Sequence, residues 1–336
     1  MIPTLTGNVS ADKLGNVLMH EHVFVLNAEL MINYPELFPE DQMVEKAVEV
    51  LTEVSETGVG TFVDLSVMGT GRNIPVLQQI AEQVDLNILV ATGWYTYHEA
   101  PAFANLNGPG RLFDGPDPLT EIFIRDIREG ISSTGVRAAV LKCSADKFGV
   151  TDGVQNIMQA VADAHLETGA PIMTHASASN DTGLRQQDYF ESRGVDLSGI
   201  VIGHMGDTDD LDSLLRIANR GSTLGMDRFG LESLLPYEQR IDTVVRMCEL
   251  GYSDRMVLAT DSSVFSMNFP DEHRRTNLPL WDARVVMPRI VEDIRARGVS
   301  DKDIDQMMRL NPHRILSRGT HSARDSADDL AQHSTR

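Results

Sequence analysis

The sequence predicts an α/β protein, a single-domain TIM (β/α)8 barrel, because short apolar runs rich in Val, Ile, Ala and Leu alternate with helical patterns. Eight runs occur, which is the number of strands that closes this barrel. Its usual length of roughly 250 residues plus loop insertions fits a chain of 336 residues. The predicted strands are residues 17–22, 60–66, 88–93, 137–143, 171–175, 200–204, 222–226 and 256–261.

Each run is an almost continuous apolar stretch, which is typical of parallel strands covered on both faces. A two-domain doubly wound fold is the main alternative, but no G-x-G-x-x-G motif follows an early strand. We therefore assign the barrel to residues 1–319. Residues 320–336 contain few apolar side chains, and we expect them to form a disordered tail.

Helical patterns separate the strands. Apolar residues recur three and four positions apart in residues 41–56, which predicts a helix with one buried face. Asp117 followed by Pro118 predicts a helix start, and this helix is expected to continue to about Thr134. A third helix is predicted over residues 153–168.

The composition excludes several classes of partner. Asp and Glu number 49 against 29 Lys and Arg, giving a net charge of -20, so we expect neither nucleic acid nor an anionic membrane as a partner. Cys143 and Cys248 are too few for a disulfide framework and favour a reducing, cytoplasmic compartment. We also expect no signal peptide and no membrane span.

Residues that can bind metals stand at the ends of five predicted strands. His20 and His22 are two positions apart, so on a strand both imidazoles point to one face and can reach one metal. In a barrel, the carboxyl ends of all strands converge on one mouth. An isolated H-x-H could equally be a pair of surface histidines, but the wider pattern favours a shared metal site. The candidate ligands are His20, His22, Lys142, His175, His204 and Asp261.

Lys142 has two possible explanations. The side chain could extend to solvent or pair with Asp261. Alternatively, a buried lysine near a metal loses its proton, and the neutral amine can add CO₂ to give a carbamate that bridges two metals. If Lys142 faces the interior, strand alternation makes Cys143 a packed thiol on the helix side.

Five separated segments resemble the phosphotriesterase family of the amidohydrolase superfamily, in the family's order and over residues from about 3 to about 318. Val17 departs from the family's usual Thr, and strand alternation places it off the metal-binding face. The segments are GNVLMHEHV (15–23), VLKC (140–143), THA (174–176), GHMGD (203–207) and ATD (259–261).

The resemblance implies two divalent metal ions (Zn, Co, Mn or Fe) bridged by a carboxylated Lys142 and a hydroxide. His20, His22 and Asp261 would hold the buried ion. His175 and His204 would hold the more exposed ion. The resemblance also implies a homodimer.

Three acidic or basic residues at the mouth receive additional roles. Asp261 can take the proton of the attacking hydroxide, which makes it catalytic together with Lys142. Asp207 follows His204 by three residues and is either a carboxylate that supports a ligand or a solvated acid at a helix start.

The lactonase branch of the family, especially the acyl-homoserine lactonases, resembles this chain in its mouth residues. Tyr95 is predicted to be a catalytic and substrate-binding phenol and Tyr97 a second substrate-binding residue, unless both rings serve packing. Arg228, expected in this branch, is predicted to bind substrate and could pair with Asp207 or line the entrance, unless it is a plain surface arginine. The loop at residues 262–279 is long, and its apolar side chains could bind an acyl tail, pack on the barrel or form a dimer contact. These side chains are Val264, Phe265, Met267 and Phe269.

The predicted reaction is hydrolysis of N-acyl-homoserine lactones (quorum quenching) and related small-molecule lactones, with weak organophosphate triesterase activity. A phosphotriesterase or another carboxylic-ester hydrolase is the nearest alternative. A single-metal hydrolase such as a deaminase would not need Lys142, and a barrel that binds without turnover would usually have lost a ligand.

Overall fold

A closed barrel of parallel strands forms the centre of the protein in the computed structural model, which describes residues 1–319. Two short strands, β1 and β2, form an antiparallel hairpin beside it. The strands are β1 (Ile2–Thr4), β2 (Gly7–Val9), β3 (Asn16–Val25), β4 (Val59–Asp64), β5 (Asn87–Gly93), β6 (Val140–Ser144), β7 (Ile172–His175), β8 (Ile200–Ile202), β9 (Thr223–Met226), β10 (Met256–Leu258) and β11 (Ser263–Ser266).

The main sheet has the order β10-β9-β8-β7-β6-β5-β4-β3-β11, with parallel pairing throughout. β10 and β11 lie close together in sequence, so one short segment pairs with β9 at its start and with β3 at its end. Between them, the Asp261 N–H donates to the His20 carbonyl and the His22 N–H donates to the Ser262 carbonyl, both at 2.9 Å. The predicted TIM barrel is confirmed. The predicted tail, residues 320–336, lies outside the described residues.

Helices surround the sheet and follow most of the strands. They are α1 (Ala28–Asn33), α2 (Glu40–Glu56), α3 (Ile74–Ala81), α4 (Ala102–Leu106), α5 (Pro118–Arg128), α6 (Asp152–Thr168), α7 (Thr182–Ser192), α8 (Leu211–Asn219), α9 (Tyr237–Glu249), α10 (Asp271–Asn277), α11 (Glu292–Ala296), α12 (Asp301–Asp305) and α13 (Asn311–Leu316).

The helix predicted from Asp117 starts as expected but is shorter than predicted. The Asp117 carboxylate accepts hydrogen bonds from the backbone N–H groups of Leu119 and Thr120, both at 3.0 Å, and so caps α5. The helix ends at Arg128 rather than near Thr134. The reason is a tight turn, in which the Ile131 N–H donates to the Val136 carbonyl at 2.8 Å. The helices predicted at 41–56 and 153–168 are confirmed as α2 and α6.

Two apolar layers stabilise the barrel. Leu141 and Cys143 belong to the larger layer between sheet and helices. Lys142, between them in sequence, points into the barrel, as alternation predicts. Burial of apolar side chains in both layers is the main stabilising contribution to this fold. The interior layer includes Val17, Met19, Val63, Leu65, Leu89, Ala91, Val140, Met173, Val201 and Val257.

A β-bulge in β3 changes which residues face the interior. Leu18 pairs with Phe62 but Glu21 pairs with Asp64, so three steps along β3 oppose two steps along β4. The extra residue interrupts the alternation before His20. Val17 consequently lies inside the barrel, and its placement off the metal-binding face by simple alternation is wrong.

Gly93, at the end of β5, allows the backbone of β6 to approach closely. Its φ is +147°, and a Cβ atom there would lie 1.9 Å from the Lys142 carbonyl oxygen. We expect Gly93→Ala to lower the free energy of unfolding by about 2–4 kcal/mol, because strand backbone must move. Urea denaturation measures this.

Gly110→Ala is the matched control. Gly110 also has a positive φ, +71°, but no atom lies within 4 Å of the position that a Cβ atom would take there. Only the backbone strain remains, so the expected loss is about 1 kcal/mol. Equal losses for the two variants would contradict the packing argument.

Candidate active site

The carboxyl ends of the strands surround a cavity of about 320 Å³. Most of the candidate residues predicted from the sequence line this cavity. His204 is fully buried, and Asp207 accepts a hydrogen bond from Arg228. The predicted residues that line the cavity are His20, His22, Tyr95, Tyr97, Lys142, His175, Arg228 and Asp261.

One group of atoms that could bind a metal lies around the Asp261 carboxylate. Its Oδ1 atom lies 3.4 Å from His20 Nε2 and 3.2 Å from His22 Nε2. Lys142 Nζ lies 2.9 Å from His20 Nε2. These four side chains come from β3, β6 and the segment after β10, so the closed barrel is what brings them together.

A second group lies beside the first. His204 Nε2 is 2.9 Å from His175 Nδ1 and 3.8 Å from Asp261 Oδ2. Within residues 1–319, the ligand atoms of His20, His204 and Asp261 lie within 4.8 Å of one another and form a candidate metal site. Asp261 therefore contacts both groups.

The tautomers of the histidines follow from their other partners. An ionised carboxylate only accepts hydrogen bonds, so His20 Nδ1 and His204 Nδ1 must donate to Asp227, at 2.9 and 2.7 Å. His22 Nδ1 donates to Ser66 Oγ at 3.0 Å, because that hydroxyl already donates to a backbone carbonyl. The Nε2 atoms of all three rings are therefore lone-pair acceptors that point into the cluster.

His175 adds a fourth imidazole lone pair to this cluster. Its Nε2 donates to Asp146 Oδ2 at 2.9 Å, which leaves Nδ1 as an acceptor facing His204 Nε2. Two acceptors at 2.9 Å repel each other unless a cation lies between or beside them. Nitrogen and oxygen ligands bonded to a tetrahedral ion at about 2.1 Å are about 3.4 Å apart, close to the separations in this cluster. The donor set fits divalent metal ions.

Burial sets the protonation states that such binding requires. It lowers the pKa of His20 and His204, and it lowers the pKa of His175 to about 4, so these rings are neutral near pH 7. Burial opposes ionisation of Asp261, yet its pKa is held well below the usual range, and the Arg228 guanidinium is the neighbour that stays charged and favours the carboxylate.

Lys142 is buried, with 1% of its surface exposed, so it does not extend to solvent. Burial lowers its pKa to about 8, although Asp261 and Asp227 act in the opposite direction. A substantial fraction of this amine is therefore neutral near pH 8, and a neutral amine is nucleophilic.

Left-handed backbone conformations orient two of the ligands. His204 has φ +64° and Asp261 has φ +52°. Val201 faces the interior, so alternation would turn His204 towards the helices, and the left-handed residue turns it back to the cavity. Such conformations cost about 1–2 kcal/mol in non-glycine residues and concentrate at functional sites.

The carboxylate that supports the histidines is Asp227, which the sequence analysis did not select. It also accepts a hydrogen bond from the His204 backbone N–H at 3.2 Å and has 1% of its surface exposed. Asp227 directly follows β9, and the other candidates were chosen because they stand at the ends of strands. The sequence therefore contained the information needed to select Asp227 as well. Asp146 was also missed, because it lies beyond its strand in a loop.

Asp207 lies outside the ligand cluster and reaches it through an arginine. Its carboxylate accepts hydrogen bonds from Arg228 Nη1 at 3.0 Å and Arg240 Nη1 at 2.7 Å, so it is not a solvated acid. Arg228 in turn donates through Nε to Asp261 Oδ2 at 2.9 Å. Asp207 thus acts on the ligand cluster through an arginine.

Tyr95 and Tyr97 both reach the cavity, and their hydroxyl groups are hydrogen-bonded to each other. The Tyr95 hydroxyl also lies 3.5 Å from His175 Nδ1. Burial raises the pKa of Tyr95 well above its usual value and that of Tyr97 to about 12. Both phenols stay protonated near neutral pH and can donate hydrogen bonds.

Five apolar side chains also line the cavity, and we call them the apolar wall. Of the four apolar loop residues noted in the sequence, only Phe269 belongs to it. Phe265 instead stacks on Phe24 at 5.8 Å, because residues Ser263–Ser266 form β11 rather than an open loop. The side chains of the wall are Val25, Leu231, Leu234, Phe269 and Trp281.

The fold and the ligand cluster together define a (β/α)8-barrel enzyme with a candidate metal site. The model of the phosphotriesterase family matches residues 1–316, and the chain belongs to this family. A phosphotriesterase homology protein of Mycobacterium tuberculosis is 43% identical over 316 residues, covering 94% of this chain and 97% of that protein.

Two further comparisons agree. An aryldialkylphosphatase of Saccharolobus solfataricus is 33% identical over 312 residues, covering 92% of this chain and 97% of that protein. The solved structure of the phosphotriesterase from Mycobacterium tuberculosis matches with a TM-score of 0.92 at 43% identity, covering 94% of this chain and 98% of that one. The predicted family and the predicted class, a hydrolase that acts on esters, are confirmed. The lactonase branch stays a prediction.

The described part of the chain also bears on membrane association. Within residues 1–319, every helix is too short or too polar to cross a bilayer.

We expect Asp227→Asn to weaken metal binding by about 10–100-fold, because an amide cannot accept from both imidazoles and loses the tautomer control. Titration of metal-free protein with Co²⁺ against a competing chelator measures this. Asp188→Asn, at an exposed ion pair with Arg220, is the control and should bind Co²⁺ like the wild type. Unchanged affinity in Asp227→Asn would contradict the assigned role.

Proposed function

We propose that the protein is a binuclear-metal lactonase that hydrolyses N-acyl-homoserine lactones and related lactones. The observation that carries this proposal is the mixed lining of the cavity. Hydrogen-bond donors from Tyr95 and Arg228 and the apolar side chains of the wall line the same cavity as the candidate ligands. An acyl lactone likewise combines a polar ester at one end with an apolar chain at the other.

We propose that His20, His22 and Asp261 hold one divalent ion and that His175 and His204 hold the second. Lys142 would bridge them as a carbamate, formed when its neutral amine adds CO₂ and releases a proton. The buried amine and its lowered pKa support this assignment. When bound, two such ions lower the pKa of a water molecule and polarise the ester oxygen.

Asp261 is the proposed acceptor of the proton from the attacking water. Its low pKa keeps the carboxylate ionised and able to receive a proton. Arg228 cannot pass that proton on, because a guanidinium stays protonated. Its role is to hold one oxygen of Asp261 in place through the 2.9 Å hydrogen bond from Nε.

Tyr95 is the proposed donor to the substrate oxygen. A phenol that stays protonated can donate to the carbonyl oxygen as negative charge develops on it. The hydrogen bond to Tyr97 limits the positions that the Tyr95 hydroxyl can take. The acyl chain would lie against Leu231, Leu234 and Phe269.

Hydrolysis of phosphotriesters is the second candidate function. The relative named aryldialkylphosphatase supports it. A tetrahedral phosphoryl centre resembles the tetrahedral intermediate of ester hydrolysis, so a lactonase of this kind is expected to retain weak organophosphate activity. A single-metal deaminase is less well supported, because it leaves the buried Lys142 without a role.

The remaining features of the proposal rest on the family resemblance and the composition. We propose a homodimer, a cytoplasmic location, and a small-molecule substrate with neither nucleic acid nor a membrane as partner. The net charge of -20 supports the last point.

A substrate panel tests the proposal. We expect kcat/KM for at least one N-acyl-homoserine lactone to exceed kcat/KM for paraoxon by 10-fold or more, because donors and wall match the lactone. Lys142→Ala and Asp261→Asn should each reduce both activities by at least about 10³-fold, since each removes a ligand. A kcat/KM for paraoxon far above that for every lactone would contradict the lactonase assignment.

Elemental analysis accompanies the panel. Two metal ions per chain are expected, and one ion per chain would favour the single-metal alternative.

Tyr95→Phe should lower kcat/KM for lactones by about 10-fold, corresponding to the loss of one hydrogen bond in the transition state. KM should change less than kcat, because the bond strengthens as charge develops. Tyr252→Phe is the control, since its hydroxyl donates to Asn219 at the surface. Unchanged kcat in Tyr95→Phe would show that the ring serves packing alone.

A further inference from the structure

Glu21, between the two histidines of β3, is fully buried and has no role in the chemistry above. Its side chain lies on the other face of the strand and contacts the segment that carries Asp261. Oε1 accepts hydrogen bonds from the Thr260 backbone N–H at 2.6 Å and from the Thr260 hydroxyl at 2.9 Å. Oε2 accepts from the Ser262 backbone N–H at 2.9 Å and from the Ser262 hydroxyl at 3.1 Å.

These contacts are made by the residues immediately before and immediately after Asp261. The residues before and after it direct their N–H groups at one carboxylate, and Asp261 between them is left-handed, with φ +52°. Two N–H groups that converge in this way form a concave site for an anion. Glu21 supplies a carboxyl group at this place from within the chain. Burial raises the pKa of Glu21 to about 8, whereas the hydrogen bonds from Thr260 and Ser262 favour its ionised form.

Other hydrogen bonds hold the rest of this short backbone. The Thr260 carbonyl accepts from Trp281 Nε1 at 2.8 Å, and the Ser262 carbonyl accepts from the His22 N–H at 2.9 Å. They leave the N–H groups of Thr260 and Ser262 to Glu21. If Glu21 were lost, two buried N–H groups would be unpaired, and this would favour a different backbone conformation.

The conformation of Asp261 determines where its carboxylate points. In the left-handed conformation, Oδ1 lies within 3.4 Å of the Nε2 atoms of His20 and His22. A left-handed aspartate is strained, so it persists only where its surroundings impose it.

We propose that Glu21 is a positioning residue that imposes the left-handed conformation of Asp261 and thereby directs its carboxylate to the metal site. This inference depends on the proposed function only in taking Asp261 as a metal ligand. It does not depend on the identity of the substrate.

Glu21→Gln tests the proposal. The amide keeps the shape but places an NH₂ group against one of the two backbone N–H donors. We expect the dissociation constant for Co²⁺ to rise by about 10–100-fold and the absorption spectrum of bound Co²⁺ to change. Co²⁺ alone is the probe, added to metal-free full-length protein. A crystal structure of the variant should show Asp261 outside the left-handed region.

Asp126→Asn is the matched control for loss of a buried carboxylate. Asp126 has 1% of its surface exposed and accepts from Thr92 Oγ1 at 2.7 Å and Arg72 Nη2 at 3.2 Å, away from the ligand cluster. It should lower the Tm while Co²⁺ affinity and spectrum stay within twofold of the wild type. Glu21→Gln with a lowered Tm but wild-type Co²⁺ affinity and spectrum would overturn the proposal.

The double variant Thr260→Val with Ser262→Ala provides a second route if Glu21→Gln does not fold. It removes the hydroxyl contacts to Glu21 and the hydrogen bond between the two hydroxyl groups but keeps both backbone N–H contacts, and it is expected to weaken Co²⁺ binding by about 3–10-fold. Wild-type affinity in this variant would overturn the proposal in that case. Weaker Co²⁺ binding without any lactone activity would refute the lactonase assignment and leave the role of Glu21 intact.

Discussion

Closure of the barrel between β3 and the segment after β10 is the constraint on which the site depends. Two backbone hydrogen bonds, from Asp261 to His20 and from His22 to Ser262, join two segments that lie far apart in the sequence. The same residues carry candidate ligand side chains, so opening this junction would separate those side chains as well as the strands. The stability of the barrel and the geometry of the candidate metal site are therefore coupled at one place in the fold.

The electrostatic design of the cavity follows from where its carboxylates lie. Asp227 accepts from the outer nitrogens of His20 and His204, so the inner nitrogens present lone pairs. Arg228 bonds both Asp261 and Asp207. The result is a buried cluster of acceptors whose mutual repulsion a divalent cation would relieve. The interactions that orient the ligands are consequently as important as the ligands themselves.

Membership of the phosphotriesterase family establishes the fold and the class of hydrolase, whereas the substrate depends on residues outside the ligand cluster. Tyr95 and Arg228 provide donors beside the cluster. Three residues of the apolar wall, Leu231, Leu234 and Phe269, come from loops after β9 and β11. Loops of this kind vary without disturbing the barrel, which is how one scaffold can accept different substrates.

The sequence by itself determined the eight-stranded barrel and its six candidate ligands, because strand periodicity and the convergence of strand ends are properties of local pattern and topology. Tertiary structure alone decided how those ligands point. The bulge in β3 and the left-handed conformations of His204 and Asp261 override simple alternation. They arise from contacts between distant segments, such as those of Glu21 with residues 260–262, and no local pattern encodes such contacts.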